Sequence, residues 1–454
     1  MNEKLSKKSE IFERLLTLAK SENDVIILPK VLYTDLQFFV DETRDFHPTK
    51  RITIDTKTKK KNLISKIFYL YTHIINNFNN NLILTQSTLK DIVGNKNHNK
   101  VFISYFKKHN IIEQIILGNI MPNNPSTVSK YVILENYLYK DLIIINNAKI
   151  KKTYSYEIKE LRGIYGNNYT KVINTINNAS LPLKTTLKTL IKEIDNGRDI
   201  SYEVLARCLS FSKRIRISKF FNNDRVYNSI CPLPGYIRDK ITFNGKKMHS
   251  IDLASCQPSL LLRKIIKHIN DNQGIYLYND QLTSEIENFK QLINNNNFYN
   301  LFKPSDLKLE TIDERRGSWV TVISNLSENK IEENYWRDII KVECYRSFLF
   351  TWNTKLKTNE VFVDNFPEIS KIMKYFNDNL KQEGKKMASM LQQEEALIFN
   401  GIIKDLELKS NFTFTVYDEI YFDNEEDIEI IKEYINDKFK YTGINPQFNT
   451  KINN

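Results

Sequence analysis

Apolar residues recur along this chain at two spacings, and the change from one to the other divides it. In the first half they fall three and four residues apart, the helical period. A helix is expected over Ile11 to Ala19, followed by irregular sequence to residue 60. A second carries Ile64, Ile67, Phe68 and Tyr71; Thr85 can then cap a short helix with Leu89, Ile92 and Val93, which Gly94 can end. A third turns Val101, Phe102, Tyr105 and Phe106 inward and leaves Lys100, Lys107 and Lys108 outside. The apolar stretch Ile111 to Leu117 and the run Tyr131 to Leu134 read as strands on either side of a Pro/Asn/Gly loop. Residues 139–221 read as mostly helical, dominated by Leu183 to Ile194 and Glu203 to Phe221.

Near the C-terminus the period drops to two. Phe412 to Phe422 alternates apolar and polar side chains, breaks at Asp418-Glu419 and resumes, as a β-hairpin does with carboxylates at its tip. Upstream, Met248-His-Ser-Ile-Asp252 is a short apolar approach ending in an acid, and Pro258 opens a helix-like run to Leu262. Proline suits a first helical turn, where its missing N–H costs nothing. Asp252 is therefore expected at the C-terminal end of a strand. Taken alone, either acid is an ordinary carboxylate on a strand turn. Brought together, Asp252 and Asp418 would suit a pair of Mg²⁺ ions and phosphoryl transfer, which asks for little beyond positioning and positive charge.

Composition narrows the partner. The sequence is 41% hydrophobic and 12% aromatic, so it has the means to bury real cores, and its net charge of +12 favours a polyanion such as nucleic acid. Four scattered cysteines lack a CxxC pair, which fits neither a zinc finger nor a disulfide framework. No secretory signal or membrane span is expected, and the expected location is the cytoplasm. Lys57 to Lys61 reads either as a phosphate-binding arm or as a solvated charge run, and the basic residues Arg207, Lys213, Arg214, Arg216 and Lys219 either grip a duplex or give a helix its soluble face. The three helices and two strands of residues 62–138 are similar to a winged helix-turn-helix, whose third helix would offer Lys100 and Lys107 to a major groove. The same fold also serves protein–protein contacts.

Arg337, Lys341 and Tyr345 stand at i, i+4 and i+8 on one helix, a spacing that can hold a triphosphate and stack a base or can simply form a solvated basic face. Together the segments resemble the family A DNA polymerases. Asp252 to Leu262 is similar to that family's motif A, Arg337-x3-Lys341-x3-Tyr345 to its fingers helix, and Tyr417-Asp418-Glu419 to its motif C. The segment from Asp224-Arg225 through Leu233-Pro234 to Arg238 resembles the approach to motif A, and Met390 to Ala396 resembles the Gln-containing palm helix. The resemblance implies an α+β fold: a right-hand palm built on an antiparallel sheet (222–265 and 385–454), helical fingers (266–384), a helical thumb-like region (139–221), the winged-helix domain (62–138) and an N-terminal extension (1–61).

It further implies Asp252 and Asp418 as metal ligands for two Mg²⁺ (or Mn²⁺) ions, with the Leu253 carbonyl as a further ligand and Glu419 nearby. Arg337 and Lys341 would hold the triphosphate, Tyr345 would lie beside the base, and Arg225, Arg238 and Gln392 would touch the primer–template. The implied reaction is DNA-templated extension of a 3′-hydroxyl with dNTPs, without a proofreading nuclease, in a phage, plasmid or defence element. Three positions depart from the family. Gln257 stands where a Glu usually helps exclude ribose, Leu349 replaces a Tyr, and Tyr417 replaces a His. These keep two rivals in view: a single-subunit phage-type RNA polymerase using rNTPs, and a non-catalytic DNA-binding initiator or regulator with a degenerate palm; an RNA template also stays open.

Overall fold

The computed structural model describes residues 3–19, 26–46, 52–75, 82–84, 89, 98–116, 129–133, 142–145, 153–196, 200, 202–211, 214–219, 224–276, 279–302 and 340–453. These residues form a mixed α+β protein with small antiparallel sheets. No helix among them is long and apolar enough to cross a membrane. The chain falls into two compact units that interleave in sequence. The first comprises Met1–Tyr154, Ala179–Ile215 and Pro232–Asn244; the second comprises Ser155–Asn178, Arg216–Cys231 and Gly245–Asn454.

In the first unit, Leu28, Leu32 and Phe39 share one core with Ile64, Ile67, Phe68, Tyr71, Phe102, Tyr105, Phe106 and Ile112. Residues 26–46, expected to be irregular, hold a strand Ile26–Pro29 and helices Lys30–Thr34 and Gln37–Phe46. The reason is long-range. Ile26–Pro29 pairs with Leu142–Ile145, and the Tyr105 hydroxyl donates to the Leu32 carbonyl at 2.8 Å. The helix Glu3–Leu18 packs on Leu183–Asp195 through buried Phe12, Leu15, Leu187 and Leu190.

The basic run Lys57 to Lys61 forms the start of the helix Lys57–Ile75, with residues 57–60 exposed. The Thr56 hydroxyl accepts from the Lys59 amide at 3.2 Å, an N-cap that fixes where the helix begins. The helix Asn99–Lys108 buries the four residues its spacing put inward, leaves Lys100 exposed and Lys107 half-buried, and pairs Lys108 with Asp35 at 2.8 Å. Strand Ser129–Ile133 lies between Leu82–Leu84 and Ile112–Ile116 in a three-stranded sheet. The short helix expected after Thr85 lies outside the described residues apart from Leu89.

Helix Tyr202–Phe211 ends earlier than its basic continuation implied. Arg214–Lys219 is a strand, not helix, because Ile215 and Ile217 alternate with polar neighbours and are both fully buried. Residues 139–221 are accordingly mixed. They include the strands Leu142–Ile145 and Thr153–Tyr156 as well as helices.

The second unit is built around a four-stranded antiparallel sheet. Its strands are Thr413–Val416, Glu419–Phe422, His249–Leu253 and Phe448–Lys451, in that spatial order. Helices Ile158–Tyr165 and Tyr169–Asn178 lie against the first strand: the Tyr165 hydroxyl reaches the Thr415 hydroxyl, and the Thr413 amide donates to the Thr175 hydroxyl at 2.9 Å. Helices Cys256–Asp271 and Met387–Asp405 pack together beside it. A separate aromatic cluster of Phe289, Phe298, Phe348, Phe362 and Phe366 joins helices Asp280–Asn294, Lys357–Asn365 and Pro367–Gln382. Its polar anchor is Glu285, whose carboxylate accepts from the amides of Glu368 and Ile369, both at 2.9 Å, and so caps the helix that starts at Pro367.

Candidate active site

Period-two alternation puts Ser250 and Asp252 on one face of their strand, and register carries that face across the sheet. Asp252 stands opposite Glu419 on one side and Asn449 on the other; Ser250 stands opposite Tyr421 and Lys451. Strands Thr413–Val416 and Glu419–Phe422 are joined by the two-residue turn Tyr417-Asp418, closed by the Val416–Glu419 pair. Tyr417 has φ +57°, the sign that I′ and II′ hairpin turns require at their first central residue. A side chain there costs on the order of 1–2 kcal/mol. The turn places the Asp418 carbonyl where it accepts from the Leu253 amide at 3.2 Å, so the two acids lie on abutting segments.

Their charges act on one another. Burial, followed by the nearby Asp418 carboxylate, pushes the Asp252 acid up to about 6. The Asn449 amide, donating to Asp252 Oδ2 at 3.0 Å, opposes this in part. Glu419 is differently placed. Its carboxylate accepts from the Ser250 hydroxyl at 2.9 Å and the Tyr421 hydroxyl at 2.6 Å, with the Lys451 ammonium at 3.8 Å, and it is buried. These partners satisfy Glu419 as a structural brace of the sheet.

Lys341 and Tyr345 belong to the same constellation. Residues 340–344 are helical and run directly into a π-helical turn, Tyr345–Leu349, a local widening often found at functional sites. Burial works against the Lys341 charge, yet Tyr345, Asp418 and Asp252 together raise its pKa and hold it protonated. Burial lifts the Tyr345 phenol up to about 12, and its ring stacks on Phe350 at 4.6 Å. Leu349 is fully buried. Arg337 lies outside the described residues.

The residue that sequence reading passed over is Glu395. It was only one letter of the Gln-containing helix, yet its side chain is 1% exposed and sits at the centre of a polar knot. The Arg225 guanidinium pairs with Glu395 Oε2, and the Gln257 amide donates to the same oxygen at 2.6 Å. Arg225 also lies over the Tyr417 ring, 5.2 Å from its centroid, tying the knot to the strained turn. Burial and the Asp418 charge push the Glu395 acid up to about 8, with Arg225 opposing. Its signal was in the sequence: Leu391, Glu395, Phe399 and Ile402 share one buried helical stripe, and a carboxylate there needs a reason.

Gln392, one turn before Glu395, is half-buried. Arg238 belongs to the first unit, where its guanidinium donates to the Leu233 carbonyl at 3.0 Å, whereas Arg225 belongs to the second. The segment read as a continuous approach to Asp252 is thus divided: Pro232–Asn244 leaves for the first unit, where Thr242–Phe243 pairs with Ala179–Ser180. Lys100 and Lys107 are also residues of the first unit.

Compared with known proteins, the chain matches no protein-family model, no curated protein and no solved structure.

Proposed function

We propose that the second unit is the catalytic body of a template-directed nucleotidyl transferase, a DNA polymerase that extends a 3′-hydroxyl with dNTPs. The observation carrying this reading is that the Leu253 amide donates to the Asp418 carbonyl, setting Asp252 and Asp418 on abutting segments where burial and the Asp418 carboxylate raise the Asp252 acid and both acids help hold Lys341 protonated. Two hard oxygen donors set this close suit a divalent cation, which offsets the charge that Asp418 places on Asp252. Asp252 and Asp418 would hold the Mg²⁺ (or Mn²⁺) pair, with the Leu253 carbonyl as a further ligand. When bound, such ions neutralise charge on the phosphate and favour ionisation of the attacking hydroxyl.

The remaining steps fall to the chain's own groups. Lys341 anchors the triphosphate and steadies the charge that passes to the leaving pyrophosphate. Tyr345, stiffened by Phe350, offers a surface beside the base. Arg225 and Gln392 lie in the unit that would meet the primer end. In the first unit, helix Asn99–Lys108 with Lys100 and Lys107, next to a three-stranded sheet, fits a winged-helix reader of duplex backbone. Gln257 is neutral, but its amide donates to the Glu395 carboxyl at 2.6 Å, so an acidic side chain still stands beside the position where the family carries its ribose-excluding Glu. This favours dNTPs over the rNTPs of a phage-type RNA polymerase.

The test is primed-template incorporation with dNTPs or rNTPs in Mg²⁺. Asp252→Ala and Asp418→Ala are expected to abolish product while DNA affinity persists. Full activity in either variant removes the two-metal reading. DNA binding by a wild type inactive in every nucleotide, primer and metal combination would favour a non-catalytic initiator.

A further inference from the structure

A thiol is buried among the carboxylates of this site. Cys256 is the first residue of its helix, set in place by Ser255, whose backbone takes the left-handed conformation (φ +52°). Its Sγ and one oxygen each from Glu395 and Asp418 all lie within 4.8 Å of one another. These three residues come from a helix start, a second helix and a hairpin turn. Glu395 Oε2 is occupied by Arg225 and Gln257, while Glu395 Oε1 is buried without a hydrogen-bond partner. Gln257 Oε1 is likewise buried and without a partner, on a residue only 3% exposed. A buried acceptor left unsatisfied costs about 1–3 kcal/mol, so two of them beside a thiol and two carboxylates ask for a donor or a cation.

We propose that Cys256 Sγ, Glu395 and Asp418 form a site for one thiophilic divalent cation of the zinc class, and that this ion competes with the Mg²⁺ pair because both need Asp418. A tetrahedral zinc site spaces its ligands about 3.3–3.8 Å apart, within reach of small side-chain rotations here. Thiolate is a poor ligand for Mg²⁺ and a good one for zinc or cadmium, so chemistry separates the two occupants. The Gln257 amide oxygen or a water completes the shell. On binding, the S–metal bond forms as the thiol proton leaves to bulk solvent, with no change of oxidation state. The binding claim stands without the polymerase reading; only its inhibitory consequence rests on that reading.

Cd²⁺ is the probe, titrated into the metal-free full chain without nucleotide while the ultraviolet thiolate-to-cadmium charge-transfer band is followed. One equivalent is expected to produce the band. Cys256→Ser is expected to abolish it, and Glu395→Gln to weaken binding by at least about tenfold. Cys208→Ser, Cys231→Ser and Cys344→Ser should keep it. Absence of a band in the wild type, or its survival in Cys256→Ser, overturns the site. Should Cys256→Ser melt without cooperativity, Cys256→Ala and Glu395→Gln carry the same comparison.

Incorporation assays in Mg²⁺ test the consequence. Zn²⁺ should inhibit the wild type at a concentration at least about tenfold lower than it inhibits Cys256→Ser, each variant normalised to its own uninhibited rate. Equal inhibition refutes competition through Asp418. A Cys256-dependent band in a protein that never incorporates nucleotide would sink the polymerase reading and leave the metal site standing.

Discussion

Replacing Asp252 with Asn should stabilise the protein while removing the activity proposed for it. In the folded chain burial and Asp418 raise the Asp252 acid from 3.8 to about 6. The sign follows from linkage. Below about pH 4 the group is protonated in both states and contributes nothing. Between about 4 and 6 the unfolded chain ionises first, and the metal-free fold loses stability as pH rises. Above about 6 the full cost is in place, on the order of 3 kcal/mol, less where water reaches the half-buried carboxylate. Asn is nearly isosteric, and its carbonyl can still accept from Asn449.

Chemical denaturation of wild type and Asp252→Asn at pH 4 and pH 7.5 in EDTA measures the difference. The variant should be the more stable at pH 7.5, by roughly 1–3 kcal/mol, and the two should converge at pH 4. Millimolar Mg²⁺ should then stabilise the wild type and leave the variant where it was. An equal offset at both pH values, or equal stabilisation by Mg²⁺, refutes the electrostatic account of this residue.

Lys341→Met should extend that pH-dependent stability loss to above about 6, because Lys341 holds the Asp252 acid down; an unmoved upper limit means the two side chains do not interact. The same variant should raise KM for dNTPs in the incorporation assay. Glu285→Ala, which strips the cap from the helix starting at Pro367, should cost about 1–3 kcal/mol in denaturation without altering Mg²⁺ stabilisation, since Glu285 is remote from Asp252 in the hydrogen-bond network. Lys100→Ala combined with Lys107→Ala should flatten the salt dependence of duplex binding by about two units of log–log slope. A slope equal to wild type assigns that helix another partner. Point changes are the right probe because helix Glu3–Leu18 packs on Leu183–Asp195 and Ile26–Pro29 pairs with Leu142–Ile145, so deleting residues 1–138 would strip both partners from what remains of the unit.

What could be read in the sequence was whatever depends on neighbours a few residues away. Ile64, Ile67, Phe68 and Tyr71 announce a helix because their spacing alone buries them, and the alternation around Asp418 announces a hairpin for the same reason. Elements that depend on distant partners left no such mark. The strand Phe448–Lys451 has only one apolar residue, yet it pairs with His249–Leu253 and delivers Asn449 to Asp252. Residues 26–29 become a strand only because 142–145 lie beside them. The excursion of Pro232–Asn244 into the other unit was hidden because its Leu-Pro-Gly and Arg residues look continuous with Arg225. Glu395 was visible as a misplaced carboxylate but not as a site residue, since its meaning comes from Arg225 and Gln257, each more than a hundred positions away.

The charge balance of the second unit explains why these particular departures gather at one place. Glu419 is answered locally by two hydroxyls and Lys451, as a structural acid should be. Asp252, Asp418 and Glu395 are answered only in part, by Lys341 and Arg225, in surroundings that penalise every uncompensated charge. Three crowded acids against two cations, beside a strained turn and two orphaned oxygens, are a poor way to stabilise a fold. An apolar residue at position 395 would pack against Leu391 and Phe399 at lower cost. A chain that instead keeps the excess carboxylate buried gains from it only when something positive arrives. That is the property a cation-dependent phosphoryl-transfer site needs and a purely structural core lacks.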